Sequence, residues 1–575
     1  MSLMQFLHET EHTMNIDPDT LQNVMDNPQS ILFIFDGLDE YKHRENLIKD
    51  QSEFNSLNGL KDEMPVTSIY AKLLQKKLLP GATILTTSRP NAVGTLRILN
   101  VQFDRVAEIL GFTPEKVKSY IDKFCKDNAT TASKIWLHIK SNFNLLYLCY
   151  IPVNCWIVCS LLYDFIEKHS SSLDSLVLPT TLTDIYKGAL RLFLFKHSPE
   201  YQQQMSISDY TNDTFSTTIE EVLSKLGKLA IKGMENEQLV FEEVEVQGLE
   251  NCGLLNCMPS KTNPALGFAR ASQYCFIHLT LQEFLAAREI AKTYDLNEVV
   301  QFINDKATNA KWHLVIQFVA GLLIKHTFEA SMCFEDMLCH SLIQGNNKLL
   351  LLILKCFYEL SNEEAAERAA RKLESCKEFS GSITFFDVAI PDCTAIVFVL
   401  RHCMTRLVSL SICDSLNFGD YGCSELLKIF VCKVSDSHKH ESSHLTVLNL
   451  LYNNITDQGV LHLSDSLKSE NCHLTQLSLL SNKITDQGVL HLSDALKSEN
   501  CHLTQLNLST NQITDQGVLH LSDALKSENC HLTQLNLSTN QITDQGVLHL
   551  SDTLKSENCH LNQLKLYSYG ITDQG

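Results

Sequence analysis

Residues His502–Cys530 read HLTQLNLSTNQITDQGVLHLSDALKSENC, and the same 29-residue block begins again at His444, His473, His531 and His560. The units starting at His502 and His531 differ only by Ala524 against Thr553, as recent internal duplication leaves them. Such a period decides the fold of this region, because a unit this short cannot bury its own apolar face and must stack on its neighbours. Leu503, Leu506 and Leu508 stand where alternate residues of a short strand point inward, and Asn511 stands where the chain leaves that strand, its amide able to satisfy backbone groups in the turn. Thr514 and Asp515 then offer helix caps, and Val518, Leu521 and Leu525 follow at helical spacing.

The pattern LxxLxLxxN identifies these units as leucine-rich repeats of ribonuclease-inhibitor type, in which one strand and one helix per repeat build a horseshoe. Weaker units stand at Leu407, Leu410 and Ile412, and at Ile383, Phe386 and Val388, so the array is expected over residues 378–575, with the 29-residue period from 444. The sequence ends partway through a repeat, at ITDQG, which reads as a truncation. Strand alternation places Val447, Gln476, Gln505, Gln534 and Gln563 in one outward column of the concave face and Asn449, Ser478, Asn507, Asn536 and Lys565 in the next. Those columns are neutral and polar, fit for partner recognition or simply for solvation. Cys472, Cys501, Cys530 and Cys559 recur beside histidines, but one ligand per repeat with no CxxC pair favours a ladder of buried thiols over a metal site.

A chain of 575 residues is too long for one core, and its 44% hydrophobic content supports several. No Pro-rich or Ser-rich tract marks a flexible linker, so the domains should abut. A net charge of -20 without a dense basic run argues against nucleic-acid binding and for protein partners. Scattered cysteines and an N-terminus without a signal pattern point to a reducing compartment, the cytoplasm. The uncharged stretch SNFNLLYLCYIPVNCWIVCSLLY, residues 141–163, is long enough to cross a membrane, yet Pro152 and Asn154 at its centre favour a buried helix-Pro-helix segment.

Nearer the N-terminus, ILFIFDGLDE (Ile31–Glu40) joins a continuous apolar run to a turn with three carboxylates. The run is what a strand buried on both faces of a parallel sheet requires. GATILTTSRP (Gly81–Pro90) reads as a neighbouring strand, and VQFDRVAEIL (Val101–Leu110) as a third. The carboxyl ends of such strands face a ligand crevice. There Asp36 can hold a water-ligated Mg²⁺, Asp39 or Glu40 can orient an attacking water, and Arg89 can sense a γ-phosphate.

FIFDGLDE and TTSRP resemble the Walker B and sensor 1 segments of NACHT domains, and the whole chain resembles the NOD-like receptors. The resemblance implies a partial NACHT core at 1–109, a helical domain at 110–195, a winged helix at 196–292, a second helical domain at 293–377 and repeats from 378. LCYIPVNCWIVC resembles the helical segment whose proline, here Pro152, meets adenine. LGKLAIKG (Leu226–Gly233) and FIHLTLQEFLAA (Phe276–Ala287) resemble the winged helix, whose histidine, here His278, contacts the β-phosphate. KWHLVIQFVAGLL (Lys311–Leu323) resembles the second helical domain.

The family therefore implies ATP or ADP with Mg²⁺, an intracellular innate-immune sensor or regulator, recognition of a protein or microbial ligand by the repeats, and self-association through the NACHT module. One departure stands out: GxxxxGK[ST] occurs nowhere in the chain, and no glycine precedes Ile31. The phosphate loop's backbone donors, lysine and hydroxyl are thus expected to be missing. On that ground the expectation is a chain without ATPase activity. Two alternatives accompany it: a non-catalytic repeat protein acting as decoy or regulator, and an active NACHT switch whose first residues lie upstream of Met1.

Overall fold

The computed structural model describes residues 2–3, 5, 23, 25–38, 62–88, 101, 103–107, 111–126, 128–168, 179–197, 215–250, 252–258, 272–323, 327–343, 345–403, 405–430 and 444–572. They form two compact units, one from the described residues up to 107 and one from those beginning at 111.

In the first unit, β1 (Leu32–Phe35) and β2 (Thr83–Thr86) pair in parallel, with Leu32 opposite Thr83 and Phe35 opposite Thr86. A parallel pair needs a crossover, and helix α1 (Val66–Leu74) lies in that connection. Phe33 is buried with Ile69 and Leu73 of α1, and the Phe35 ring meets Tyr70 edge-on with centroids 4.7 Å apart. Two expectations fail here. Leu32 and Ile34 are 55% and 62% exposed, so β1 buries only one face, the one packed on α1. Residues 101 and 103–107 form no strand; Val106 stands exposed, and Asp104 pairs with Lys76 at 3.1 Å.

The second unit begins with helices. The apolar stretch breaks at residues 149–151, between a helix over Phe143–Leu148 and α2 (Pro152–Lys168), whose first residue is the proline, where a missing N–H costs nothing. No helix among the described residues is long and apolar enough to cross a membrane. Next come α3 (Leu182–His197) and α4 (Thr217–Asn236), then a three-stranded antiparallel sheet of β3 (Phe241–Glu242), β4 (Leu255–Met258) and β5 (Gln273–Phe276) in the order β3-β5-β4. Helix α5 (Leu279–Thr293) follows β5 directly and lies along α4, where a Cβ added at Gly227 would stand 2.6 Å from the Cβ of Glu289.

Helices α6 (His313–Leu322) and α7 (Asn347–Leu360) carry the core toward the repeats. Glu359, near the end of α7, caps the start of α3 from far along the chain. Its carboxylate accepts hydrogen bonds from the backbone of Leu182 (3.2 Å) and Thr183 (2.9 Å) and from the Thr183 hydroxyl (2.5 Å). Burial drives its pKa above the usual carboxylate range, against the pull of those bonds. Helix α6 closes on the same point: a Cβ added at Gly321 would stand 2.2 Å from the Thr183 hydroxyl oxygen.

Seven parallel strands then run in chain order, β6 (Ser382–Phe386), β7 (Ser409–Cys413), β8 (Val447–Asn449), β9 (Gln476–Ser478), β10 (Gln505–Asn507), β11 (Gln534–Asn536) and β12 (Gln563–Lys565). In β6 the inward residues are Ile383 and Phe385; Phe386, expected inside, is half exposed because strand alternation turns it outward. The repeats are tied by two side-chain ladders. Asn511 donates to the carbonyls of Leu479 (3.0 Å) and Leu508 (3.1 Å) and accepts from the Ile484 amide (3.1 Å), and Asn482 and Asn540 repeat these bonds one unit away. Asp486, at the first turn of its helix, accepts from the backbone of Thr514 (2.8 Å) and Gly517 (3.0 Å) and from the Thr514 hydroxyl (2.6 Å) of the next repeat. Asp420, Asp457 and Asp515 do the same.

Two outcomes follow for stability. Asn511→Ala, which leaves buried backbone groups of two repeats unpaired, should cost about 1–3 kcal/mol per unmet group in urea denaturation of the full chain. Glu359→Ala should likewise destabilise the chain, and Glu359→Gln isolates the charge. Because the folded pKa of Glu359 is raised, its contribution is complete below the ordinary carboxylate range and is lost as pH rises through the raised value. The stability of the native chain relative to Glu359→Gln should therefore fall as pH rises from the ordinary carboxylate range through the raised value, as followed by urea denaturation across a pH series.

Candidate functional site

At the carboxyl end of β1 the chain turns sharply. Gly37 has φ +77, a left-handed conformation that a Cβ would strain, so the turn that presents Asp36 depends on this glycine. Asp36 is exposed, and its Oδ1 accepts a hydrogen bond from the Thr87 hydroxyl at the end of β2. The same hydroxyl oxygen accepts from the Gly37 amide at 2.9 Å. The Thr87 backbone closes the register on both sides, donating to the Phe35 carbonyl (2.9 Å) and accepting from the Leu38 amide (3.1 Å). Beneath it, the Tyr70 hydroxyl reaches the Thr86 hydroxyl at 3.2 Å, and burial raises the Tyr70 pKa. Thr87 is the strand-end residue that sequence reading passed over, although it lies inside the quoted TTSRP; its signal is a hydroxyl at the end of a strand next to an acidic strand end.

A carboxylate held by a hydroxyl on two parallel strand ends is a donor set that suits a water-ligated Mg²⁺. Asp39, Glu40 and Arg89, the other residues expected there, lie outside the described residues.

In the second unit Pro152 is exposed at the first position of α2, and His278 is half-buried as the N-cap of α5. The His278 Nδ1 accepts from the Thr280 amide at 3.2 Å, and its carbonyl accepts from the amides of Leu281 (3.1 Å) and Gln282 (3.3 Å). Between the two helices stands Tyr186 of α3, fully buried, its ring against Phe318 (centroids 5.4 Å apart) and Phe284 (6.0 Å). The Tyr186 hydroxyl donates to Asn154 Oδ1 at 3.1 Å. Burial pushes the Tyr186 pKa up to about 12, so the hydroxyl keeps its proton and can donate.

The repeat columns lie where alternation placed them. Val447, Gln476, Gln505, Gln534 and Gln563 are register partners across β8 to β12, and so are Asn449, Ser478, Asn507, Asn536 and Lys565. From the β9 column onward they line a shallow open cleft of about 270 Å³, together with Asn449. The recurrent thiols point the other way. Cys472, Cys501 and Cys530 are buried, and burial raises their pKa values, to about 11 for Cys472 and Cys501.

Residues 1–128 match the NACHT domain family, and residues 441–464, 470–493, 499–522 and 528–551 match the leucine-rich repeat. The chain is 30% identical over 290 residues to Protein NLRC5 of Ictalurus punctatus, covering 48% of this chain and 16% of that protein. It is 27% identical over 504 residues to human Nucleotide-binding oligomerization domain-containing protein 1, covering 75% of this chain and 49% of that one. Over 389 residues it is 27% identical to human NACHT, LRR and PYD domains-containing protein 12, covering 61% and 33%. The chain thus spans at most about half the length of these curated relatives.

The strand-end turn carries its own test. Gly37→Ala should destabilise the first unit by about 1–2 kcal/mol, the penalty of a left-handed non-glycine residue. Thr87→Val should speed hydrogen exchange at the Gly37 amide about fivefold, as loss of one net hydrogen bond predicts, whereas Thr87→Ser should restore protection.

Proposed function

Starting from a chain that joins a NACHT domain to C-terminal leucine-rich repeats and has NOD-like receptors for relatives, we propose that it acts as a cytoplasmic sensor or regulator of that kind. In this reading the repeats recognise a protein or microbial ligand, and the NACHT and helical regions couple recognition to self-association. The observation that carries it is the concave face. Two columns of short polar side chains are repeated at strand spacing on a rigid sheet whose opposite side is filled by leucines, an extended and uniform recognition surface.

Nucleotide is the regulatory ligand in this proposal. Asp36 would hold a water-ligated Mg²⁺, Pro152 would meet the base and His278 the phosphates, while Asp39, Glu40 and Arg89 would complete the acidic and cationic groups. The bound Mg²⁺ would neutralise phosphate charge. The chain's own part is to present one carboxylate, through the Thr87 hydroxyl and the Gly37 turn, at a fixed point on the strand ends. The proposal for the residues present is recognition and switching, with nucleotide as the ligand that sets the state. The order of helical domain, winged helix and second helical domain before the repeats belongs to the same proposal.

Two measurements test it. Screening peptide and glycan arrays with the native chain and with Gln505→Arg/Gln534→Arg should show ligands retained by the first and lost by the second; ligands that ignore the substitution would move recognition off the concave face. Fluorescent ADP should bind in a Mg²⁺-dependent way and more weakly after Asp36→Ala; binding that Asp36→Ala leaves unchanged would overturn the nucleotide reading.

A further inference from the structure

The outward positions of the repeat strands are not all alike. Two residues beyond the second polar column, where the strands exit, stand Phe386, Cys413, Leu451 and Leu480 in the first four units, but Ser509 and Ser538 in the next two. The backbone carries the same register past the strand ends: the Asp414 amide donates to the Leu451 carbonyl at 3.2 Å and the Tyr452 amide to the Leu480 carbonyl at 3.0 Å. Because the serines occupy the same repeat geometry, stacking does not require an apolar side chain at this position. Cys413 is buried, yet Phe386 is half exposed and Leu451 and Leu480 are only half-buried. Tyr452 and Leu416, on the exits of the third and second units, are 47% and 71% exposed. One exposed leucine is ordinary, whereas apolar groups gathered on one edge of four adjacent strands mark a contact surface. At the usual strand spacing this stripe runs about 14 Å from β6 to β9.

Beside it, between the first two units, lies a recess of about 170 Å³ lined by Val388, Ala389, Leu416 and the exposed Asp387. Its Ser415 is already engaged, accepting from the Val388 amide at 2.9 Å and donating to the Cys413 carbonyl at 2.9 Å. Asp414, at the matching place in the second unit, is also exposed, and among the described residues neither carboxylate pairs with a cation. Apolar walls beside a carboxylate suit lysine or arginine, whose stem is aliphatic and whose head is charged. In the fourth unit the place of Leu416 is taken by the exposed Lys483, so a cation is attracted at the first two units and repelled at the fourth.

We propose that the strand-exit edge of the first four repeats docks a cationic amphipathic segment of a partner protein. Its apolar side chains lie along Phe386, Leu451 and Leu480, and a lysine or arginine enters the recess beside Asp387. This deepens the concave-face reading and rests on it for the repeats being the recognition surface. The polar columns and the apolar edge are separate parts of that surface, so each can be tested alone.

The probe is a fluorescein-labelled amphipathic peptide of leucine and lysine, titrated into the full chain by fluorescence anisotropy. Two control peptides carry glutamate for every lysine or serine for every leucine. The native chain should bind the first peptide and neither control. Phe386→Ser/Leu416→Ser should weaken binding about tenfold, as loss of an apolar anchor does. Asp387→Asn/Asp414→Asn should weaken it severalfold at low salt and less at high salt. Asparagine suits the left-handed backbone of both positions, φ +53 and +51, and circular dichroism melts check that every variant stays folded.

Asp465→Asn/Asp494→Asn removes the same charge from exposed positions on the repeat helices and should leave binding unchanged. Equal weakening by that pair, or by neither edge pair, would overturn the inference, as would a native chain that ignores the peptide. Loss with Asp387→Asn/Asp414→Asn alone would reduce the edge to a charge effect and overturn the apolar stripe. If array ligands depend on Gln505 and Gln534 while the peptide ignores the edge variants, the edge fails and the concave-face reading stands; the opposite pattern fails the polar columns and keeps the edge.

Discussion

A backbone N–H or C=O taken out of water must find a partner, and much of this chain's tertiary structure is the answer to that requirement. Helix ends and strand exits are where regular structure runs out of internal partners. In the repeats the deficit is met by neighbours: one asparagine per unit serves the strand exits of two units, and one aspartate serves the helix start of the next. Away from the repeats, Glu359 meets the deficit at α3 from more than a hundred residues away, and Gly321 leaves the room for it. Stacking is therefore specific as well as apolar, since a repeat placed out of register would bury its leucines but leave amides unpaired.

The same requirement shapes the candidate site. Asp36 is held in place by a hydroxyl whose oxygen also satisfies the Gly37 amide, so the carboxylate, the turn and the second strand are one hydrogen-bonded piece. His278 is a helix cap before it is anything else, and this explains its fixed orientation without reference to a ligand. Asp36 and His278 fall in different units. Each unit prepares its own contribution locally, Asp36 through a threonine after a strand and His278 through the amides of the helix it caps.

Legibility varied with the range of the forces involved. The repeat columns, the buried leucines and the Pro152 break were readable because periodicity and proline act within a few residues. The strand β1 was readable as a strand but not in its burial: five apolar residues in a row said that both faces could be covered, whereas the packing partners place only one face on α1 and leave Leu32 and Ile34 exposed. VQFDRVAEIL misled for the opposite reason: β-branched residues and alternation suit a strand, but a paired neighbour is what makes one, and residues 101 and 103–107 have none. Phe386 was misplaced by one position, the smallest slip that reverses a side chain.

The amino-acid sequence by itself determined the repeat period, the register of the concave columns, the helix caps and the carboxylate at a strand end, because these depend on local geometry and on alternation of apolar and polar residues. Tertiary structure alone decided which distant groups meet. Glu359 reaches α3, Thr87 reaches Asp36, and Tyr186 reaches Asn154, since a lone polar side chain carries no mark of its partner until burial removes water as the alternative.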